Sequence, residues 1–275
     1  MRPQQRRVAR PRGRHPQQDE KHVRVTRVNV PVFFIERDAI QNGTVSITGP
    51  LARHLKGSLR VRPGETVLLG ESGGPRYHVR ITATDRHRLT GNILSESAPP
   101  PHNVPRLTVG LALFNRDHME WAIQKATEFG VDRLLPLLTA RTVVRPKAGR
   151  ANHPLARWQR IALEAAQQSM RWTIPTVMEP VSFAAWCADP GQDACRWLLW
   201  EAPRRTLLRN RLRGQPRPDS VTLAVGPEGG FDASEVELAE RHGFEVVSLG
   251  DHILRTESAI LAALAIVQYE WGNLG

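Results

Sequence analysis

Val221-Thr222-Leu223-Ala224-Val225-Gly226-Pro227-Glu228-Gly229-Gly230-Phe231-Asp232-Ala233-Ser234-Glu235, followed by Glu245-Val246-Val247-Ser248-Leu249-Gly250-Asp251-His252-Ile253-Leu254-Arg255-Thr256, decides how this chain folds. Each segment begins as a short apolar stretch rich in β-branched residues, breaks at glycine and leads into a helical pattern. Asp232 and Glu235 have capping-box spacing, so a helix starts there and separates the two strands. A last helix begins near Thr256 and contains the apolar run Ala259–Val267. Near-continuously apolar strands alternating with helices imply a parallel sheet covered on both faces. Both glycine loops then leave the carboxyl ends of their strands, where open α/β sheets hold ligands.

The same alternation extends backwards. Leu107–Leu113 reads as a strand, and a helix follows at about 117–130 with Met119, Ala122, Ile123, Ala126 and Phe129 on one face. Next come a strand through Leu134–Leu138 and a helix at about 155–171 with Leu155, Trp158, Ile161, Ala162 and Ala165 facing inward. Trp197–Trp200 is a further strand. Before residue 100 the pattern changes. Val32–Ile35, Thr44–Ile47, Thr66–Leu69, Tyr77–Ile81 and Leu89–Ile93 are closely spaced short strands, which suggest a small barrel. Pro50–Leu55 reads as a single helical turn, and Pro99–Pro105 as a stiff connector marking a domain boundary. The expected organisation is a disordered basic extension over 1–28, a barrel over 29–100 and an α/β domain over 106–275.

Composition narrows the function. With 275 residues, 40% of them hydrophobic, the chain can bury a real core, which excludes global disorder and a disulfide scaffold. Lys+Arg exceed Asp+Glu by 38 to 27, a net +11 that favours a polyanionic partner. Residues 1–28 hold nine of those basic residues against Asp19 and Glu20, so the remaining body is only mildly basic. Cys187 and Cys195 form no metal-ligand pattern and suit a reducing cytoplasm as buried thiols. The N-terminus lacks an apolar signal region, and Ala259–Val267 is far short of the roughly 20 residues a membrane span needs. No metal and no membrane are expected.

The glycine loops constrain the ligand. Gly226–Phe231 is neither GxGxxG nor a Walker A sequence and offers no Lys for phosphates. Glu228 would repel a pyrophosphate but tolerate a cation such as a sulfonium. Glycines there also let the backbone approach a flat ring closely. An ordinary Gly-rich turn before a capped helix fits the spacing equally well.

Gly226-Pro227-Glu228-Gly229-Gly230-Phe231 together with Leu249-Gly250-Asp251-His252-Ile253-Leu254-Arg255-Thr256-Glu257-Ser258-Ala259 resembles the paired signatures of SPOUT methyltransferases. The version resembled is the bacterial 16S rRNA uridine-N3 methyltransferase family. Lys125–Val131, Arg157–Ser169 and, in the first domain, His54-Leu55, Leu59-Arg60 and Pro63-Gly64-Glu65 fit the same family. The resemblance covers about 31–270. It implies an α/β domain whose C-terminal segment is threaded into a trefoil knot, preceded by a PUA-like barrel. It also implies S-adenosylmethionine (SAM) as cofactor, the 16S rRNA of the small ribosomal subunit as partner, and a homodimer with sites near the subunit interface. Candidate SAM contacts are Leu199, Glu201, Val225, Gly226, Glu228, Gly229, Leu249, Gly250, Ile253 and Leu254. The chain departs from the family at Val32, where Arg is frequent, at Asn115, where Lys is frequent, and at Gln167 and His252.

Methyl transfer to uridine N3 requires the acceptor to lose a weakly acidic proton, so the enzyme must stabilise an anion or supply a base. Arg255, permanently charged at a loop-to-helix junction, is the candidate for orienting the uridine or stabilising its anion. The same side chain could instead brace the loop through an ion pair or a carbonyl. Thr256 reads as the N-cap of the last helix, and Glu257 as a second catalytic candidate or a first-turn dipole partner. Glu164, Gln168 and Arg171, at i, i+4 and i+7, share a helix face that is either solvated or turned to RNA or a second subunit. Lys125 and Glu128 can pair with each other. His54, Arg60, Arg141, Gln168 and Arg171 are the candidate RNA contacts. A non-catalytic RNA-binding assembly factor and a SAM enzyme with another RNA target are the alternative functions.

Overall fold

A computed structural model describes residues 31–102, 104–142, 154–188, 195–201, 206–272 and 274. The basic extension over 1–28 lies outside the described residues. The chain from Pro31 onwards forms one compact unit containing two sheets.

The first sheet has six strands: β1 (Val32–Phe34), β2 (Ile40–Gln41), β3 (Thr44–Ile47), β4 (Thr66–Gly70), β5 (Arg76–Thr84) and β6 (Leu89–Ser97). Their order is β1-β4-β5-β6-β3-β2, with β1 parallel to β4 and the other pairs antiparallel. Alternate residues Val67, Leu69, Tyr77, Val79 and Ile81 turn inward onto Ala52 and Leu55 of α1 (Gly49–Gly57). The single turn expected at Pro50–Leu55 is therefore a nine-residue helix. Pro50 sits in its first turn, where a missing N–H costs nothing.

The second sheet has eight strands: β7 (Arg106–Ala112), β8 (Arg133–Leu138), β9 (Thr176–Val177), β10 (Val181–Ser182), β11 (Cys195–Leu199), β12 (Thr206–Leu207), β13 (Ser220–Val225) and β14 (Glu245–Ser248). All its pairings are parallel, in the order β10-β8-β7-β13-β11-β14-β12, with β9 on β8. Helices cover both faces. On one side α2 (Arg116–Glu128), α3 (Leu155–Gln168), α5 (Leu208–Leu212) and α7 (Thr256–Trp271) pack on Val109, Leu111, Leu134, Leu223 and Val225. On the other, α4 (Phe183–Ala188) and α6 (Ala233–Arg241) pack on Leu135, Leu137, Leu198, Ala224 and Val246. Neighbouring strand residues such as Leu134 and Leu135 thus enter opposite cores, and this explains why the strands are apolar throughout. At Gly110 the ring of Trp186 lies where any Cβ would stand, so α4 can approach β7 only over glycine.

The sheets meet where the β4–β5 hairpin docks on residues 170–174. Gly73 N–H donates to Trp172 O at 2.8 Å, Ile174 N–H to Ser72 Oγ at 3.0 Å and Arg76 Nη2 to Met170 O at 2.5 Å. The Arg76 guanidinium also stacks 3.8 Å over the Trp172 ring. The segment turns outward here because α3 stops at Gln168 and Met170 adopts φ 58°. The expected helix to residue 171 therefore ends early. Arg171 does not share the Glu164/Gln168 face, which removes the geometric ground for making it an RNA contact.

Candidate active site

Strands β13, β11 and β14 are neighbours, so their three carboxyl-end loops converge. Leu199, Glu201, Leu249, Gly250, Ile253 and Leu254, all expected as cofactor contacts, line one cleft of about 400 Å³ that is partly open to solvent. Trp200, Ser248, His252 and Ala259 complete its lining. Their signal was available in sequence, since each adjoins an expected contact or, for Ala259, lies in the first turn of the helix that follows the second loop. Gly250, at φ 135°, takes a conformation that side chains rarely adopt. Gly250 N–H donates to Ser248 Oγ at 3.2 Å and fixes the bend. Ile253 is 82% exposed at the mouth.

Val225, Gly226, Glu228 and Gly229 stand beside this lining as the exit of β13. Thr256 joins the two loops: its hydroxyl donates to Gly226 O at 3.1 Å. Its expected role as N-cap is corrected, because Arg255 occupies the cap position and Thr256 is the first helical residue, with its side chain buried against the other loop. Arg141 braces the first loop. Its Nη1 donates to Gly229 O at 2.8 Å and its Nη2 lies 3.3 Å from Asp232 Oδ2. The capping box forms as expected: Asp232 accepts from Ser234 N–H and Glu235 from Asp232 N–H. Bonds from the Ser234 hydroxyl and amide, aided by Arg141, hold the Asp232 carboxyl below its ordinary range. Glu235 also accepts from Ala140 N–H at 2.7 Å, so the exits of β8 and β13 are latched together.

Arg255 is exposed, and its guanidinium has no hydrogen-bond or ion-pair partner among the described residues. Glu257, in the first turn of α7, lies 3.8 Å from His118 Nδ1 on α2. Asn115 caps α2 by accepting from Asp117 N–H, and its own N–H donates to Glu228 Oε1 at 3.3 Å. The start of α2 thus abuts the first glycine loop and the first turn of α7. Glu201, Glu228 and Glu257 surround the region with carboxylates, while Leu199, Leu249, Ile253 and Leu254 make the cleft wall apolar. That donor set fits a flat ring bearing a nearby sulfonium cation and disfavours a phosphate. Among the described residues, no cluster of three or more His, Cys, Asp or Glu could hold a metal.

The other candidates are scattered. His54 lies on α1 with its ring centroid 6.0 Å from that of Phe33, and Arg60 takes φ 54° after the helix. Both belong to the α1 region that packs on the first sheet, not to the cleft. Gln168 ends α3 in a groove against α2. Arg171 points inward. Its guanidinium donates to Thr127 O at 2.9 Å and Val131 O at 2.6 Å, and meets Asp132 at 3.3 Å. Burial lowers its pKa. Lys125 pairs with Glu128 at 2.8 Å. Burial pushes the Cys187 thiol up to about 12, consistent with an inert core position.

A family model described as an RNA methyltransferase domain matches residues 100–268. The chain belongs to this RNA methyltransferase family. Curated relatives agree with that placement. Ribosomal RNA small subunit methyltransferase E of Synechocystis is 32% identical over 85% of this chain and 75% of its own length. Its Bacillus subtilis counterpart is 29% identical over 86% of this chain and 96% of its own length. The crystal structure of ribosomal RNA small subunit methyltransferase E from Neisseria gonorrhoeae, bound to S-adenosyl methionine, superposes with a TM-score of 0.78. It is 31% identical and covers 88% of this chain and 98% of its own. The family domain includes both glycine loops and all of the cleft, while the first sheet lies outside the matched residues.

Proposed function

We propose that this protein is a SAM-dependent methyltransferase acting on N3 of a uridine in 16S rRNA of the small ribosomal subunit. The observation that carries the reading is the cleft at three adjacent strand exits, tied by Thr256 and followed directly after Leu254 by an exposed Arg255 with no partner among the described residues, in a chain of this family. SAM bound there supplies an electrophilic methyl carbon on a sulfonium. Leu199, Leu249, Ile253 and Leu254 would enclose its adenosine ring system. Glu201 and Glu228 would favour its positive charge, and Gly226 and Gly229 would let the backbone come close.

Arg255 orients the uridine and stabilises negative charge spread over its O2 and O4, so that N3 becomes nucleophilic. Glu257, held near His118, positions the first turn of α7 and is the carboxylate on that turn that would receive a proton. Base N3 is hidden in a duplex, so the target uridine is unpaired or flipped out. The C-terminal segment is read as a trefoil knot, the first sheet as a PUA-like RNA-binding domain over 29–100 and the remainder over 106–275 as the catalytic domain. His54 and Arg60 would meet phosphates there, and Arg141 would serve the catalytic loop rather than RNA. A cytoplasmic homodimer that shares its sites across the interface completes the reading.

The test is transfer from methyl-labelled SAM to purified small subunits and to naked 16S rRNA, with the product nucleoside identified. The expected product is 3-methyluridine. Another methylated nucleoside would move the target, and absence of transfer despite RNA binding would leave an assembly factor.

A further inference from the structure

Helices α2 and α3 do not close on each other along their outer edges. They leave a groove of about 1050 Å³ that is continuous with solvent. Trp121 and Gln124 on α2 face Arg157, Arg160 and Gln168 on α3 across it, at spacings that keep each set on one helix face. Trp121 is 40% exposed, a large flat ring among the polar residues Asp117, Glu120 and Gln124 of α2, with Ile161 and Ala165 of α3 adding the other apolar lining. It enters no aromatic or cation–π pair among the described residues.

The polar groups divide into those already engaged and those still free. Glu120 holds Arg157 through Nε and Nη2, the latter at 2.6 Å, and also accepts from Arg116 Nε at 3.3 Å. These guanidinium groups hold the Glu120 carboxyl below its usual range. Arg157 is thereby fixed in place, yet its Nη1 has no partner among the described residues. The amides of Gln124 and Gln168 likewise have no hydrogen-bond partner among the described residues. A ring to stack on, two free amides and one fixed cation are what a single-stranded nucleotide requires: a π-face, a base edge with donors and acceptors, and a phosphate. A subunit interface would instead have a charge-depleted apolar centre, whereas charged side chains of Glu120, Arg157, Arg160 and Glu164 crowd this groove. A track for duplex phosphates would be uniformly basic, and this one is mixed.

Its location gives the groove a purpose. It opens at Asp117, next to His118, which lies 3.8 Å from Glu257 in the first turn of α7, two residues beyond Arg255. The groove mouth and Arg255 therefore flank the same His118–Glu257 contact.

We propose that the α2/α3 groove receives the unpaired nucleotide adjacent to the methylated uridine, stacking its base on Trp121 and offering its edge to Gln124 and Gln168. The proposal rests on the reading of the protein as an RNA methyltransferase of unpaired uridine. The test compares wild type, Trp121→Ala and Trp121→Phe in the full chain. It measures methyl transfer to small subunits, SAM affinity, sedimentation, and binding of a short fluorescein-labelled uridine-rich RNA. Trp121→Ala is expected to raise KM for subunits and the Kd for the short RNA by about ten-fold, the size of a lost base–aromatic stack. Its kcat and SAM affinity should stay within about two-fold, and Trp121→Phe should recover most of the loss. Unchanged KM and RNA affinity in a folded Trp121→Ala would overturn the proposal, and so would a changed sedimentation coefficient, which would make the face a contact between copies. If wild type methylates no uridine while Trp121→Ala still weakens RNA binding, the enzymatic reading fails and the groove stands. Should Trp121→Ala not fold, Gln124→Ala carries the same test, with an expected rise of about three- to five-fold from one lost hydrogen bond.

Discussion

Arg171 and Arg255, at opposite ends of the parallel sheet, are used in opposite ways. At the amino ends of β7 and β8, Arg171 spends its donors on Thr127 O, Val131 O, Thr173 Oγ1 and Asp132, while Asp132 in turn accepts from Leu107 N–H at 2.9 Å. Two strand starts, the end of α2 and the loop after α3 are joined through one guanidinium. At the carboxyl ends of β11, β13 and β14, Arg255 stands exposed, its donors unspent among the described residues. The contrast separates structure from chemistry more reliably than residue type does: a consumed arginine braces, and a free one at a cleft can act on a substrate.

Four measurements test that contrast. Arg255→Ala should lower kcat for methyl transfer about 10²–10³-fold, the usual loss when one preorganised charge-stabilising group is removed. SAM affinity, read by calorimetry, should stay within a few-fold, and an unchanged turnover would remove Arg255 from the mechanism. Arg171→Ala should act on stability, by ~3 kcal/mol, because it strands buried carbonyls and a carboxylate. For a protein of this size that corresponds to a Tm lower by about 6–12 °C. A variant with normal Tm and lost turnover would invert the assignment of the two ends.

Thr256→Val keeps the shape but deletes the bond to Gly226 O. It should weaken SAM binding about five-fold, or ~1 kcal/mol, with little change in Tm. The smallest effect is on acid stability. Glu120 and Asp232 both have depressed carboxyl pKa values, from Arg157 and from Ser234 and Arg141. Stability they contribute is fully present above the ordinary carboxylate range and is lost as pH falls through their lowered values. Thermal scans at descending pH should therefore show Tm flat near neutrality and falling below roughly pH 4, and Glu120→Gln should make that fall shallower.

The alternation of apolar strands with helices was legible because each strand is buried on both faces, and burial writes itself into composition. The capping box at Asp232 and Glu235 was legible because it depends on spacing alone. Arg171 was misplaced because extending the helical spacing past Gln168 assumes the helix continues. Met170 takes a left-handed conformation there that nothing about methionine signals. Thr256 was misread as a cap for a related reason, since its partner Gly226 lies 30 residues away and only the folded loops bring the two together. Strands β9, β10 and β12, two residues each, exist only through their neighbours and left no local pattern. The cleft was found by its glycines, whereas Trp121 and Gln124 belonged to a helix whose outer face had no motif of its own.

Ile253 has a calorimetric consequence. An isoleucine 82% exposed keeps a hydrocarbon surface wetted in the free protein. Whatever covers it, donor molecule or second chain, sheds that hydration and gains up to about 1.5–3 kcal/mol. The signature is a negative heat-capacity change on association, so affinity measured at one temperature will not carry over to another.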